Sequence, residues 1–298
     1  MTNLVNVNGV VTPEAQAVVP VLDRGFLFGD SIYEVMRTRD GVPFAFPDHF
    51  ERLRSSADGL RLRFDLDDRA LARRIQETLA AARNAENYVR IIVTRGTGTA
   101  PNIDVAYAPG PCTVIILVRD LPRFSMLEAH LQIVGRLRND RRALDPAYKT
   151  GNYLNNVLGL IEAKASGGTD ALFLNTEGHV TECSTSNLWV LRDGVLRTPP
   201  LDAGILAGIT RKLLLEMCRG EGTAAVEENL TPHDVTSAEE VFVSASLRDL
   251  VPVTRVDGAP IGDGRPGPVT TRLAERFERF SAQRHADVYV PQWRALCL

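Results

Sequence analysis

Short hairpins recur along this chain, and they constrain its fold more than any other feature. LVNVNGVVTP alternates Val5 and Val7 with polar residues ahead of Asn8-Gly9, a type I′ turn signal. SIYEVMRTRDGVPFAF turns at Asp40-Gly41, ALFLN and HVTE at Glu177-Gly178, and NLWVLRDGVLRTPP at Asp193-Gly194. VPVTRVDGAPIG reads as a last hairpin. An isolated hairpin is marginal in water, so such strands must join larger sheets or be covered by helices.

The first half supplies both. PDHFERLRSSADGL puts Phe50, Leu53, Ala57 and Leu60 on one helical face, and a helix from about Asp68 to Arg83 repeats Leu71, Ile75, Leu79 and Ala82 behind acidic residues. YVRIIVTRG and CTVIILVRD read as strands, and PVLDRGFLFGD (Pro20 to Asp30) as a loop. At 298 residues the chain is long for one core. We therefore expect a small α+β domain over residues 1–120, an interdomain loop over 121–127 (LPRFSML), and a larger domain over 128–298.

In the second half LQIVGRLRND reads as a strand. A helix from Tyr153 runs through Leu154, Val157, Leu158 and Ile161 and stops at Gly167-Gly168. AGITRKLLLEMCRGEG is a loop entering a helix at about Thr210, and AAVEEN is a strand. A short helix starts at Pro232, EEVFVSASLRD is a strand ending in a polar turn, and PVTTRLAERFERF is an amphipathic helix. HADVYVPQWRALCL has weak periodicity, and irregular packing is expected there.

Composition removes several classes of function. A net charge of −3 gives no sign of a nucleic-acid or membrane surface, and no apolar run approaches the roughly 20 residues that span a bilayer. MTNLVNVNGVV lacks the basic region and apolar core of a signal peptide. Four scattered cysteines suit a reducing cytoplasm, and five histidines without a cluster argue against a metal. Of 34 basic residues only Lys149, Lys164 and Lys212 are lysines. Arginine cannot replace lysine where a neutral amine must attack a carbonyl.

Lys149 precedes a helix, where a cation opposes the dipole, and Thr150-Gly151 leave room beside it. Its amine could form an imine with an aldehyde cofactor; the plainer reading is a solvated lysine. Glu182, between a strand and the small, hydroxyl-rich CSTSN, is either an ordinary strand-end carboxylate or an anion aimed at a pyridine nitrogen. Gly208-Ile209-Thr210 opens a helix and could bind a phosphate, or simply cap it. Ser244-Ala245-Ser246 offers the same choice after a strand, and Arg52 could clamp a phosphate bidentately or lie on the surface.

Together and in this order the motifs resemble the fold-type IV pyridoxal-phosphate enzymes: branched-chain aminotransferases, D-amino-acid aminotransferases and aminodeoxychorismate lyases. The resemblance spans about Val7 to Phe280 and rests on DRGFLFGDSIYEV, HFERLRSSA, KTGNYLNNVL, the VTE…STSNLWV run, LAGITR, EEVFVSAS and PVTRVDG…IGDGRPGPVT. It implies an α/β (α+β) two-domain fold with a small N-terminal domain and a larger β-rich pseudobarrel domain. It also implies a homodimer with the site at the domain and subunit interface. Lys149 would hold pyridoxal 5′-phosphate as an internal aldimine and then move the proton. Glu182 would pair with the ring nitrogen, and Tyr153 would lie near the 3-oxygen. Arg52, Ile209, Thr210 and Ser246 would bind the phosphate. Tyr33, Tyr88 and Arg90 would face the substrate.

The chain departs from the family at several points. Cys183 stands where glycine is usual, and we read it as a small packed residue. Tyr33-Glu34-Val35 looks like the D-amino-acid enzymes, yet their carboxylate-trapping arginine and histidine are missing from GTAPNID. Tyr88-Val89-Arg90 looks branched-chain-like, and Arg248 is a candidate carboxylate partner or a surface arginine. The leading expectation is a transaminase moving an amino group from an aliphatic or branched-chain amino acid, or a D-amino acid, to a 2-oxo acid such as 2-oxoglutarate. An aminodeoxychorismate-type lyase is the alternative, and a non-catalytic cofactor-binding protein comes third.

Overall fold

β1 (Leu4–Val7) and β2 (Val10–Pro13) form the first hairpin, with Asn8 and Gly9 at φ 51° and 97°, as a type I′ turn requires. The segment expected as a loop contains α1 (Arg24–Phe28). Asp23 caps this single turn by accepting the Gly25 N–H at 2.8 Å, and Gly29 ends it at φ 66°. Five residues are too few to show a helical period. The chain continues through β3 (Ser31–Arg39), β4 (Val42–Pro43), α2 (Phe46–Gly59), α3 (Asp68–Ala82), β5 (Asn87–Thr94) and β6 (Thr113–Asp120).

These strands make a six-stranded antiparallel sheet in the order β2-β1-β6-β5-β3-β4. Alternation gives it two unlike faces. Ile32, Met36, Ile91 and Ile116 are fully buried on the face covered by α2 and α3, whose Leu53, Leu71 and Ile75 are buried too. Each large apolar side chain so buried contributes about 1.5–3 kcal/mol. Glu34 shares that buried face, while Tyr33, Val35, Tyr88 and Arg90 lie on the other.

The computed structural model describes residues 3–122 and 128–298, so most of the expected interdomain loop lies outside the described residues. The chain divides into two units, but not sequentially. The first unit takes the residues up to 122 together with Tyr148–Asn152 and Gln283–Leu298; the second takes 128–147 and Tyr153–Ala282. The expected boundary thus misplaces two segments, including the one that carries Lys149. Backbone hydrogen bonds made far along the chain put that segment on β3, and no local signal encodes such partners. The C-terminal segment is not irregular. A π-helical turn, His285–Tyr289, leads into a helix over Val290–Cys297. A few large side chains rather than a stripe hold it: Trp293 is buried, 4.9 Å from the Phe46 ring, and donates to Gln76 Oε1 at 2.8 Å.

The second unit comprises β7 (Ala129–Ile133), α4 (Arg141–Leu144), α5 (Leu154–Ala165), β8 (Asp170–Leu174), β9 (Val180–Cys183), β10 (Asn187–Arg192) and β11 (Val195–Thr198). It continues with α6 (Ile209–Gly220), β12 (Ala225–Glu227), α7 (Pro232–Thr236), β13 (Glu240–Ala245), β14 (Asp249–Val256), β15 (Ala259–Pro260) and α8 (Pro268–Arg284). Its nine strands run β12-β11-β10-β13-β14-β7-β8-β9, with β15 on β14. β9 also pairs with β10, through Glu182 and Asn187, so six of the strands close into a barrel-like ring. Its core includes Leu131, Leu172, Val190, Val243 and Val253, with Cys183 packed among them as a small residue.

The apolar stripe of α5 is not its buried face. Leu154, Val157 and Ile161 are 67%, 47% and 59% exposed, and the helix buries Asn156, Gly159 and Ala163 instead. Gly159 lies so close to Phe173 of β8 that a methyl there would overlap the ring. Small residues let helix and sheet approach.

Candidate active site

Each unit holds part of the constellation. In the first, Tyr148–Asn152 runs beside β3. The Tyr33 N–H donates to the Lys149 carbonyl at 2.9 Å, the Gly151 N–H to the Ser31 carbonyl at 2.8 Å, and the Lys149 N–H to Ser56 Oγ on α2 at 3.1 Å. Two glycines permit this approach. A methyl on Gly151 would overlap Ser31 Oγ, and one on Gly59 would overlap the Tyr148 ring. With its backbone held, Lys149 places Nζ 4.5 Å from the centroid of the Tyr33 ring, and the Arg90 guanidinium lies 4.2 Å from the same centroid. Tyr88 is two residues before Arg90 on the same face of β5. Lys149, Tyr33 and Arg90 are thus brought together, with Tyr88 beside them.

Arg52 belongs to the other face. Its Nε donates to Glu34 Oε1 and its Nη2 to Glu34 Oε2, both at 2.7 Å, so the fork expected to grip a phosphate is closed on a carboxylate. His49 Nδ1 lies 2.7 Å from Glu34 Oε2. Burial alone pushes the Glu34 carboxyl up, but the charges and hydrogen bonds of Arg52 and His49 more than reverse this, holding its pKa at about 2. Burial pushes His49 below the ordinary histidine value despite Glu34, so it is neutral at pH 7.

In the second unit Glu182 is buried where the barrel closes. Arg138 donates to its Oε1 from Nε at 3.1 Å and from Nη2 at 2.9 Å. Oε2 accepts from the Leu206 N–H at 3.0 Å and from Asn187 Nδ2 at 3.3 Å. Asn187 also donates to the Leu206 carbonyl at 3.0 Å and packs onto Gly208, where a methyl would overlap its Oδ1. Arg138 Nη1 donates to Asn156 Oδ1 at 3.2 Å, and Asn156 Nδ2 donates to the Ser184 carbonyl at 2.8 Å. Ser184 Oγ donates to Asp170, whose carboxyl burial pushes up, an effect its hydrogen bonds and Arg248 only partly offset. Burial also drives the Cys183 thiol well above its ordinary range, which leaves it unreactive.

Gly208 is the N-cap of α6 and has no side chain to cap it, so the first-turn amides of buried Ile209 and Thr210 form a positive helix end. Ser246 and Arg248 lie in the half-buried turn between β13 and β14, next to Ser244, which pairs in register with Asn187. Tyr153 occupies the N-cap position of α5, with its carbonyl accepting from the Val157 N–H at 2.9 Å. The sequence reading missed Arg138, Asn156 and Asn187 around Glu182, and Glu34 and His49 around Arg52. Glu34 and His49 lay within quoted motifs. Nothing in sequence spacing marks Arg138.

The amino-transferase class IV family model matches residues 31–256, most of the chain. The chain belongs to the class IV aminotransferases. A Methanocaldococcus jannaschii protein, provisionally named a branched-chain-amino-acid aminotransferase, is 35% identical over 288 residues, 95% of this chain and 98% of its own. A D-alanine aminotransferase of Listeria monocytogenes is 33% identical over 275 residues, 91% and 93% of the two chains. Among solved structures, the branched-chain aminotransferase of Thermoproteus uzoniensis with norvaline superposes with a TM-score of 0.88 at 27% identity, covering 98% of each chain. A bacterial-type branched-chain amino acid aminotransferase (T.th.) complexed with N-(5′-phosphopyridoxyl)-L-glutamate gives 0.87 at 28% identity over 95% of each. The aminotransferase thus has the fold of the fold-type IV branched-chain enzymes, with a small N-terminal sheet and a barrel-like second sheet.

Proposed function

We propose that this aminotransferase binds pyridoxal 5′-phosphate through Lys149. It would transfer the amino group of an aliphatic or branched-chain amino acid, with D-amino acids as further donors, to a 2-oxo acid such as 2-oxoglutarate. The observation that carries the reading is the Tyr33 ring shared by Lys149 Nζ, at 4.5 Å, and Arg90, at 4.2 Å. It sets an amine beside a cation suited to a substrate carboxylate.

The donor set fits the cofactor. Glu182 is a buried carboxylate paired with Arg138, an anion of the kind a protonated ring nitrogen needs, and the long Asn187 contact is the one that nitrogen would replace. The glycine-capped start of α6 offers Ile209 and Thr210 to a phosphate, with Ser246 and Arg52 as further ligands. Bound there, pyridoxal phosphate supplies the electron sink that makes a Cα–H bond acidic. Lys149 Nζ takes and returns that proton, Tyr153 lies toward the 3-oxygen, and Tyr33, Tyr88, Arg90 and Arg248 orient the substrate.

We further infer a cytoplasmic homodimer. The exposed stripe Leu154, Val157 and Ile161 and the exposed Val18, Val21, Phe26 and Ile103 are apolar surfaces a second copy would cover. Cys112, Cys183, Cys218 and Cys297 are all free thiols.

The test is borohydride reduction followed by peptide mapping, with a panel of L- and D-amino acids against 2-oxoglutarate. Cofactor fixed to Lys149, and loss of turnover in Lys149→Ala, support the reading. Native turnover in Lys149→Ala would overturn it. Pyruvate release from aminodeoxychorismate without keto-acid exchange would favour the lyase.

A further inference from the structure

Lys149 and Arg52 are held by neighbouring residues of the same two elements. On β3, the Tyr33 N–H holds the Lys149 carbonyl while Glu34 grips Arg52. On α2, Ser56 Oγ holds the Lys149 N–H one turn beyond Arg52. The Glu34–Arg52 pair therefore ties together the strand and the helix that carry the lysine backbone.

We propose that Glu34, backed by His49, is a positioning residue that presets the Arg52 guanidinium for the cofactor phosphate. This rests on the reading of Arg52 as a phosphate ligand. A free arginine side chain carries about 2 kcal/mol of rotamer entropy, and a ligand that had to order it would lose that much affinity. Here both ends of the fork edge are taken at 2.7 Å by a carboxylate that is itself fully buried. His49, also buried, holds the Glu34 Oε2 from the side at 2.7 Å. The arginine is thus fixed from behind before any ligand arrives, and a phosphate meets the part of the guanidinium that Glu34 does not cover.

Charge alone would give Glu34 a different role, as a counter-ion for a nearly buried cation. The two roles predict opposite results. Removing a mere counter-ion leaves Arg52 more electropositive and tightens phosphate binding. Removing a positioning group lets the fork turn and weakens it. Glu34→Gln keeps the shape but offers an amide N–H where the guanidinium needs an acceptor.

The experiment compares dissociation constants of pyridoxal phosphate and of pyridoxal for the cofactor-free full chain. Their ratio, the preference for the phosphorylated form, isolates the phosphate, because attachment at Lys149 contributes to both. Arg52→Ala sets the full loss. We expect Glu34→Gln to lower this preference roughly tenfold, with pyridoxal binding unchanged, and Glu34→Asp to recover part of it. His49→Gln should lower it about threefold. A preference unchanged or raised in Glu34→Gln, while Arg52→Ala collapses it, overturns the proposal. If Glu34→Gln does not fold, the same criterion applies to Glu34→Asp and His49→Gln. A preference unchanged in Arg52→Ala removes the phosphate role of Arg52 itself, and the proposal with it.

Discussion

Glu182 and Asn187 face each other at the register point where β9 meets β10, and the Asn187 amide donates to the Glu182 carboxylate it sits opposite. The residue proposed for the cofactor nitrogen is therefore also the residue that closes the barrel. Its position is set by strand pairing, and Arg138 and the Leu206 amide complete its surroundings.

The first prediction concerns Gly208. An alanine there would drive a methyl into Asn187 Oδ1 and push Asn187 off both Glu182 and the Leu206 carbonyl. We expect Gly208→Ala to destabilise the protein by about 2–4 kcal/mol and to weaken cofactor binding. Denaturant melts and cofactor titration check this. Unchanged binding would show that Asn187 does not hold Glu182.

Arg138 carries the second. It is the cationic partner of buried Glu182, and its third nitrogen bonds Asn156. Arg138→Met leaves an uncompensated buried charge, at a cost of about 3–5 kcal/mol. Arg138→Met combined with Glu182→Gln should recover much of that stability but not activity. A thermal-melt double-mutant cycle with parallel kinetics measures both.

Gly59 tests the support of Lys149 from a distance. Alanine favours a helix by up to about 1 kcal/mol over glycine, yet here its methyl meets the ring of Tyr148, the neighbour of Lys149. Gly59→Ala should lower kcat several-fold while the melting temperature moves by only a few degrees. Stopped-flow kinetics beside calorimetry separates the two effects.

Acid should act through Glu34 and His49. Both have folded-state pKa values below their unfolded ones, so both contribute stability at neutral pH that is lost as pH falls. The loss begins below the ordinary histidine value of 6.5, as His49 must take a proton, and deepens from 4.5 toward about 2, as Glu34 must. Melting temperature measured from pH 7 to pH 3 should fall across this range. His49→Gln should flatten its upper part, and an unaltered profile in that variant would assign the acid sensitivity elsewhere.

Local chemistry determined much of this protein from the sequence alone. Asn-Gly and Asp-Gly turns with flanking alternation marked the hairpins, and periodic Leu and Ile marked α2 and α3. The order of Lys149, Glu182 and the Gly208-Ile209-Thr210 helix start pointed to the cofactor chemistry. What tertiary structure decided was every partnership between residues far apart in the chain. Hydrogen bonds to Ser31, Tyr33 and Ser56 place Lys149 in the first unit, and Phe173 selects which side of α5 is buried. A buried arginine reaches Glu182, and Glu34 rather than solvent meets Arg52. A side chain's type and its neighbours within a turn are written in the sequence. Which distant charge or ring it meets depends on how strands pair and helices pack, and no local pattern carries that.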